Sequence, residues 1–287
     1  MRVAMVSAGL HGVGYAISQV LRENQYQVSV STTKAGTSAK TADGPWLVHH
    51  GDITNPGEGS QWVDRVAKEW GRIDLLVNNL GPYLWDYPMI AQTDAKDWSF
   101  ILQTNLTGAF QLIQAVIPIM RRQGGGAIVN VGFVGAGQDQ GWALRGAYAA
   151  AKSGLASLTR TVALEEQRHA ITCAMVCPSD IQGPDKETWT PSAEKFRLSP
   201  TGYDVARIIA FLADPRSLYL SGNIIELAPR LSIHEPSVGE TVWVVPLAMH
   251  GVITDARHDS GQSLYRVQPT VGDPGWYPLI QLQRPHE

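Results

Sequence analysis

Cysteine, net charge of either sign and long apolar runs are all scarce in this chain, and each scarcity removes a class of protein. Only two cysteines occur, Cys173 and Cys177. They share one apolar run, and an i, i+4 spacing in an extended strand separates their α-carbons beyond disulfide reach. They read as buried thiols rather than as a staple for a secreted domain. The balance of 23 basic against 26 acidic residues leaves a net charge of −3. That offers no basic excess for a nucleic-acid backbone and no polybasic face for anionic lipid. No stretch approaches the roughly 18 uninterrupted apolar residues of a membrane helix. The opening Met1-Arg2-Val3-Ala4-Met5-Val6 turns to Ser and Gly before a signal core forms. His49, His50, His234, His250 and His258 show no metal-ligand spacing on a shared helix, so no metal is expected. What is present is ample apolar material: 287 residues, 44% hydrophobic, enough for one large core or a core with a small satellite. A disordered chain is excluded, and a cytoplasmic protein acting on small molecules is expected.

From the start to about residue 230, short β-branched runs alternate with longer stretches of helical period. This is the pattern of a parallel sheet covered by helices on both faces. The strand candidates are Val3–Ser7, Gln27–Thr32, Trp46–His50, Ile73–Asn78, Ala127–Val131, Ile171–Cys177 and Asn223–Leu227. Gly12–Arg22, Gln61–Trp70, Asp97–Met120, Tyr148–Glu166 and Tyr203–Leu212 carry apolar residues at i, i+3, i+4 and read as helices. About seven strands in this order predict an α/β, Rossmann-type doubly wound sheet. Beyond Arg230 the texture changes. Glu240–Leu247, Gly251–Arg257, Ser263–Val267 and Trp276–Gln283 are strand-like and separated by turn-forming clusters. They predict a small, SH3-like β module over residues 233–287, after a main domain of residues 1–232. A module of roughly 50 residues is near the size limit for independent folding. It is expected to lean on the main domain or on another subunit, or to bind a protein partner.

Two segments carry chemistry. The first strand runs through Ser7-Ala8-Gly9-Leu10-His11-Gly12-Val13-Gly14 into a helix. Small residues there admit a pyrophosphate to the backbone, and a helix N-terminus supplies amide donors and a positive dipole end. The second segment is Tyr148-Ala149-Ala150-Ala151-Lys152, whose i, i+4 spacing sets a phenol and an ammonium on one helix face. A free phenol with pKa near ~10 is a poor proton shuttle at neutral pH, and a nearby cation favours its ionised form.

With these residues the chain resembles the classical short-chain dehydrogenase/reductase family. Ser7, Ala8, Gly12 and Gly14 stand where the family has Thr-Gly-x-x-x-Gly-x-Gly. Ala8 departs from that pattern, and Gly9 beside it is expected to preserve the bend. Gly51-Asp52-Ile53-Thr54 and Asn78-Asn79-Leu80-Gly81 match the family's adenine-contacting acid and its sheet-bracing Asn-Asn-Ala-Gly. Val176-Cys177-Pro178-Ser179-Asp180-Ile181 matches its Pro-Gly-x-Ile, with Ser179 for the glycine. The resemblance implies a nicotinamide cofactor held by Ser7, Ala8, Gly9, Gly12, Val13, Gly14, Asp52, Ile53, Asn79, Leu80, Gly81, Lys152, Pro178, Ser179 and Ile181. The second strand ends Ser31-Thr32-Thr33-Lys34, with no acid for ribose hydroxyls and with hydroxyls and a cation for a 2′-phosphate, so NADP(H) is predicted.

By the same resemblance Tyr148 is the general acid in carbonyl reduction, Lys152 lowers its pKa and holds the nicotinamide ribose, and Asn105 positions a water on the proton path. The family's fourth member is a serine near the end of the fifth strand. Counting back from Tyr148 reaches Gly135, and aligning Ile128-Val129-Asn130-Val131-Gly132-Phe133 reaches Phe133; neither has a hydroxyl. Two readings follow. In one, the protein is a reductase in which Gln138 or Asp139 from the lengthened loop replaces the serine. In the other, it binds NADP(H) as a sensor or scaffold with impaired catalysis. Tyr83, Trp85 and Phe133 are the substrate-pocket candidates. Bacterial 3-oxoacyl thioester reductases are nearest in pattern, and pteridine reductases are the alternative. The helices 97–120 and 148–166 are the family's usual subunit faces and imply a homo-oligomer, dimer or tetramer.

Overall fold

The computed structural model describes residues 1–33, 46–82, 84, 88–138, 141–181, 183–191, 199–227, 238–239, 241–244, 247, 249–259, 262–278 and 282–283. The chain divides into two compact units, Met1–Ala228 and Pro229–Glu287.

The first unit is a seven-stranded parallel sheet in the order β3-β2-β1-β4-β5-β6-β7. The strands are β1 (Arg2–Val6), β2 (Tyr26–Thr32), β3 (Leu47–His50), β4 (Leu75–Asn78), β5 (Gly126–Val131), β6 (Ile171–Pro178) and β7 (Ile224–Leu227). Burial on both faces explains why they read as near-continuous apolar runs. In β1, Ala4 and Val6 pack on one side with α1 (Gly12–Glu23) and α6 (Gly202–Leu212). Val3 and Met5 pack on the other with α2 (Glu58–Trp70), α4 (Gly108–Gln123) and part of α5 (Gly146–Glu166). Thr201 starts α6 with a capping box, its side chain and that of Asp204 satisfying each other's backbone amides. Cys173 and Cys177 are both free and buried.

The sequence reads residues 97–120 as one helix. The structure extends it to Ala95–Gln123 and interrupts it: α3 (Ala95–Leu102) passes through one π-helical turn, Gln103–Thr107, before α4. By length and composition alone this helix would cross a bilayer, yet Leu112, Ile113, Val116 and Met120 are buried against the sheet.

The strand order reverses at β1, which pairs in parallel with β2 on one side and β4 on the other. Open α/β sheets bind ligands outside the carboxyl ends of their strands at such a switch point. The turn after β1 and the segment Asn79–Gly81 after β4 meet there.

The second unit is a five-stranded antiparallel sheet in the order β11-β10-β9-β8-β12. Its strands are β8 (Thr241–Val244), β9 (Met249–Asp259), β10 (Gln262–Pro269), β11 (Gly275–Pro278) and β12 (Leu282–Gln283). Val242, Val244, Ile253, Tyr265, Val267 and Leu282 form its buried cluster. The single strand expected over 276–283 is two, β11 and β12, at opposite edges of the sheet.

Candidate functional site

Ser7 fixes the nucleotide end of the cleft. Its hydroxyl accepts from the Asn79 amide at 2.8 Å and donates to the Val77 carbonyl at 3.3 Å, tying the β1 turn to the end of β4. Ala8 takes φ +50, the left-handed conformation in which glycine is the low-cost residue. The bend is therefore made by Ala8 itself, at the family's glycine position, and not by Gly9 as the sequence suggests. The close approach at Gly9 is instead a packing matter, since a Cβ there would lie 2.5 Å from Val30 Cγ1. Gly14 is the tightest position in the turn: a Cβ would lie 2.2 Å from the Ala8 carbonyl oxygen and 2.6 Å from Asn79 Nδ2.

Helix α1 has no side-chain cap at its start. The Gly12 amide donates instead to Glu187 Oε1 at 2.9 Å, so a carboxylate from the far side of the sequence sits on the helix N-terminus. An anion seated on this amide is the arrangement that a dinucleotide phosphate would require, and the narrow Gly14 turn fits the same group. Thr32 ends β2 and is buried, Thr33 follows it and is exposed, and Lys34 lies outside the described residues. Asp52 is exposed and turns its Oδ1 to the backbone amide and hydroxyl of Thr54, at 3.0 and 2.7 Å, while Ile53 is buried. Val13 is partly buried against the first core cluster. Gly81 has open space around its α-carbon.

The chemical end is built on α5. Tyr148 and Lys152 lie one turn apart and are both buried, with Lys152 Nζ 5.5 Å from the centre of the Tyr148 ring. The ammonium donates to the Leu80 carbonyl at 2.7 Å and the Val131 carbonyl at 2.9 Å, bridging the ends of β4 and β5. Burial draws the Lys152 pKa down to about 7. Asn105 sits in the π turn, fully buried. Its Nδ2 donates to the Pro82 carbonyl at 2.9 Å and to the Ile101 carbonyl at 3.1 Å, and its Oδ1 has no hydrogen-bond partner among the described residues. A buried acceptor left open in this way fits a bound water or ligand donor. Asn78 donates to Asn130 at 2.8 Å and Asn130 to Thr159 at 2.9 Å, a buried polar ladder holding β4 and β5 to α5.

At the end of β6, the Pro178 carbonyl accepts from the Val134 amide, and the Ser179 amide just beyond donates to the Leu227 carbonyl at 3.0 Å. The Ser179 hydroxyl is buried without a partner among the described residues, and Ile181 joins the core. Phe133 packs edge-on against Trp142 and Tyr148, with ring centres 5.2 and 6.0 Å away. Gln138 is drawn off to β7, its Nε2 donating to Glu226 Oε2 at 3.1 Å. Tyr83, Trp85 and Asp139 lie outside the described residues. Two residues that the sequence did not single out enter the site. Glu187 covers the start of α1, and Arg145 lines a cavity with Tyr148, Leu84 and Ile101. Neither has a local sequence signal, because each reaches the cleft from a turn whose path depends on tertiary packing.

A doubly wound parallel sheet with a glycine-rich first turn at its switch point places the first unit among the nucleotide-binding α/β proteins. Residues 2–193 match the short chain dehydrogenase family model, and the chain belongs to that family of oxidoreductases. It is 38% identical over 251 residues to YtkK of Bacillus subtilis, a provisionally named oxidoreductase, covering 81% of this chain and 97% of that one. It is 29% identical to the 3-oxoacyl-[acyl-carrier-protein] reductase FabG of Vibrio cholerae, covering 79% of this chain and 95% of the relative. With the acetoacetyl-CoA reductase of Shinella zoogloeoides the identity is 31%, covering 78% and 95%. A solved structure from Bacillus thuringiensis, provisionally described as a 3-oxoacyl-reductase, superposes with a TM-score of 0.74 at 36% identity. It covers 82% of this chain and all of its own, so part of this chain has no counterpart there.

Proposed function

We propose that this chain is a cytoplasmic, NADP(H)-dependent reductase that converts a small-molecule carbonyl of the 3-oxoacyl type to an alcohol. The observation that carries the reading is the buried Tyr148–Lys152 pair at the carboxyl end of the sheet, next to a β1 turn fitted to an anion. Its relatives among the 3-oxoacyl and acetoacetyl thioester reductases support the substrate class. Ser7, Ala8, Gly9, Gly12, Val13 and Gly14 hold the dinucleotide phosphates, Thr32, Thr33 and Lys34 the 2′-phosphate, and Asp52 and Ile53 the adenine. Asn79, Leu80, Gly81, Pro178, Ser179 and Ile181 enclose the nicotinamide end. Bound there, the nicotinamide supplies hydride.

Tyr148 gives its phenolic proton to the carbonyl oxygen. Lys152 favours the ionised phenol that remains and returns a proton to it, and Asn105 holds a water on the path to Lys152 with its open Oδ1. The chain works as a homo-oligomer. Phe110 on α4 and Leu164 on α5, 45% and 77% exposed, supply apolar surface on the two helices concerned.

Tyr148→Phe is expected to abolish carbonyl-dependent NADPH oxidation while leaving the NADPH Kd within about twofold. Unchanged turnover would refute the assignment. A second reading, an NADP(H)-binding sensor or scaffold, draws on the absence of a hydroxyl at Phe133 and Gly135. It would be favoured if wild-type protein bound NADPH but oxidised it with no acyl thioester, diketone, quinone or dihydropterin.

A further inference from the structure

A π-helical turn carries one extra residue and is rare, so it persists where neighbouring structure holds it. The turn at Gln103–Thr107 is held from within and from two sides. Within it, the Gly108 amide reaches back to the Gln103 carbonyl. Outside it, Gln103 Nε2 donates to the Thr54 carbonyl and Asn105 Nδ2 to the Pro82 carbonyl, each at 2.9 Å. Thr54 adjoins Asp52 and Ile53, and Pro82 adjoins Leu80 and Gly81. The turn is therefore slung between the two loops proposed above for opposite ends of the dinucleotide. The approach is close: a Cβ at Gly108 would lie 3.3 Å from both Leu80 Cδ1 and Thr54 Cγ2.

The Thr54 tie leads to the adenine side. Asp52 Oδ1 accepts from both the amide and the hydroxyl of Thr54, and Ile53 between them is buried in the same cluster as Leu112 of α4. Hydrogen bonds thus run without a break from the Asp52 carboxylate through Thr54 to the Gln103 amide and into the π turn. Asn105 stands in that turn, fully buried, with its Oδ1 open.

Resting on the cofactor site and proton path proposed above, we propose that Gln103 is a positioning residue. Through Thr54 it makes the placement of the Asn105 acceptor depend on the loop that would carry adenine. Gln103 acts through Asn105 and touches no reacting atom.

The probe is adenosine 2′,5′-bisphosphate, which carries the adenine end of NADP and no nicotinamide, and the readout is amide hydrogen exchange of the full chain. In wild type, saturating bisphosphate is expected to slow exchange across residues 103–108 at least about threefold. Gln103→Glu keeps the length of the side chain and removes its donor. It is expected to bind the bisphosphate within about threefold of wild type and to show no slowing there, while Gln103→Lys, which restores a donor, recovers part of it. With NADPH and acetoacetyl-CoA, Gln103→Glu is expected to lower kcat about tenfold with KM little changed, and to enlarge the solvent deuterium effect on kcat as proton delivery becomes the slow step. Three results overturn the proposal: bisphosphate binding without slowing in wild type, slowing that persists in Gln103→Glu, or wild-type turnover by Gln103→Glu. Failure of wild type to bind either the bisphosphate or NADPH refutes the cofactor reading, and the proposal with it. Slowing that depends on Gln103, in a protein that does not reduce acetoacetyl-CoA, upholds the tie and counts against the 3-oxoacyl substrate class.

Discussion

Gly132 shows how one side chain's absence is enforced by its neighbours. Met175 Cε and Cys177 Sγ occupy the volume that a Cβ would take. Gly132→Ser would add a hydroxyl one residue before the Phe133 position, but a methionine tip and a rigid thiol must give way first. Overpacking of this kind costs about 1–3 kcal/mol. Urea unfolding of Gly132→Ser is expected to show that loss, with no gain in carbonyl turnover; a stable and faster variant would mean the cleft has room for the family's arrangement. At this scale the sequence is most informative where two groups share one helix. Tyr148 and Lys152 are legible because four residues make about one turn. Arg145 is not, because its placement depends on a left-handed Leu144, a conformation for which leucine gives no signal.

Lys152 belongs to the scale of elements, since its ammonium ties β4, β5 and α5 together through two carbonyls. Burial lowers its pKa to about 7 from 10.5. Between those values the unfolded chain binds the proton and the folded chain does not, so folding stability rises with pH through that window and the gain is lost as pH falls through about 7. Relative to Lys152→Met, wild type is expected to gain up to about 1.4 kcal/mol per pH unit above pH 7. Urea titrations of both proteins from pH 6 to about pH 9 read this directly, and parallel curves would show that the lysine is not titrating there. The seven parallel strands were legible to within two residues at either end, because alternation and turn chemistry mark them. The π turn at Gln103–Thr107 was not. It adds one residue to a helical step without breaking apolar periodicity, yet it is what lodges Asn105 in the core.

The whole molecule is two units, each with its own apolar cluster. Every residue proposed for cofactor and proton transfer belongs to the first. A chain ending at Ala228 is therefore expected to fold cooperatively and to keep its NADPH affinity within about twofold, as read by calorimetry. A larger loss would show that the β module completes the site. The module was legible as strands and turns but not in its order: β11 and β12 are close in sequence and lie at opposite edges. Pairing between distant segments leaves no local pattern to read.

The carboxylate of Glu187 on the Gly12 amide has a consequence for energetics at this scale. A tethered anion competes at a high effective concentration that dilution cannot lower. A dinucleotide entering the cleft would exchange with this internal rival, and its measured affinity would be the difference between two attachments to the same helix end. The turn that carries Glu187 lies between β6 and α6. Eviction of that carboxylate would free the turn between β6 and α6 as the cofactor arrives.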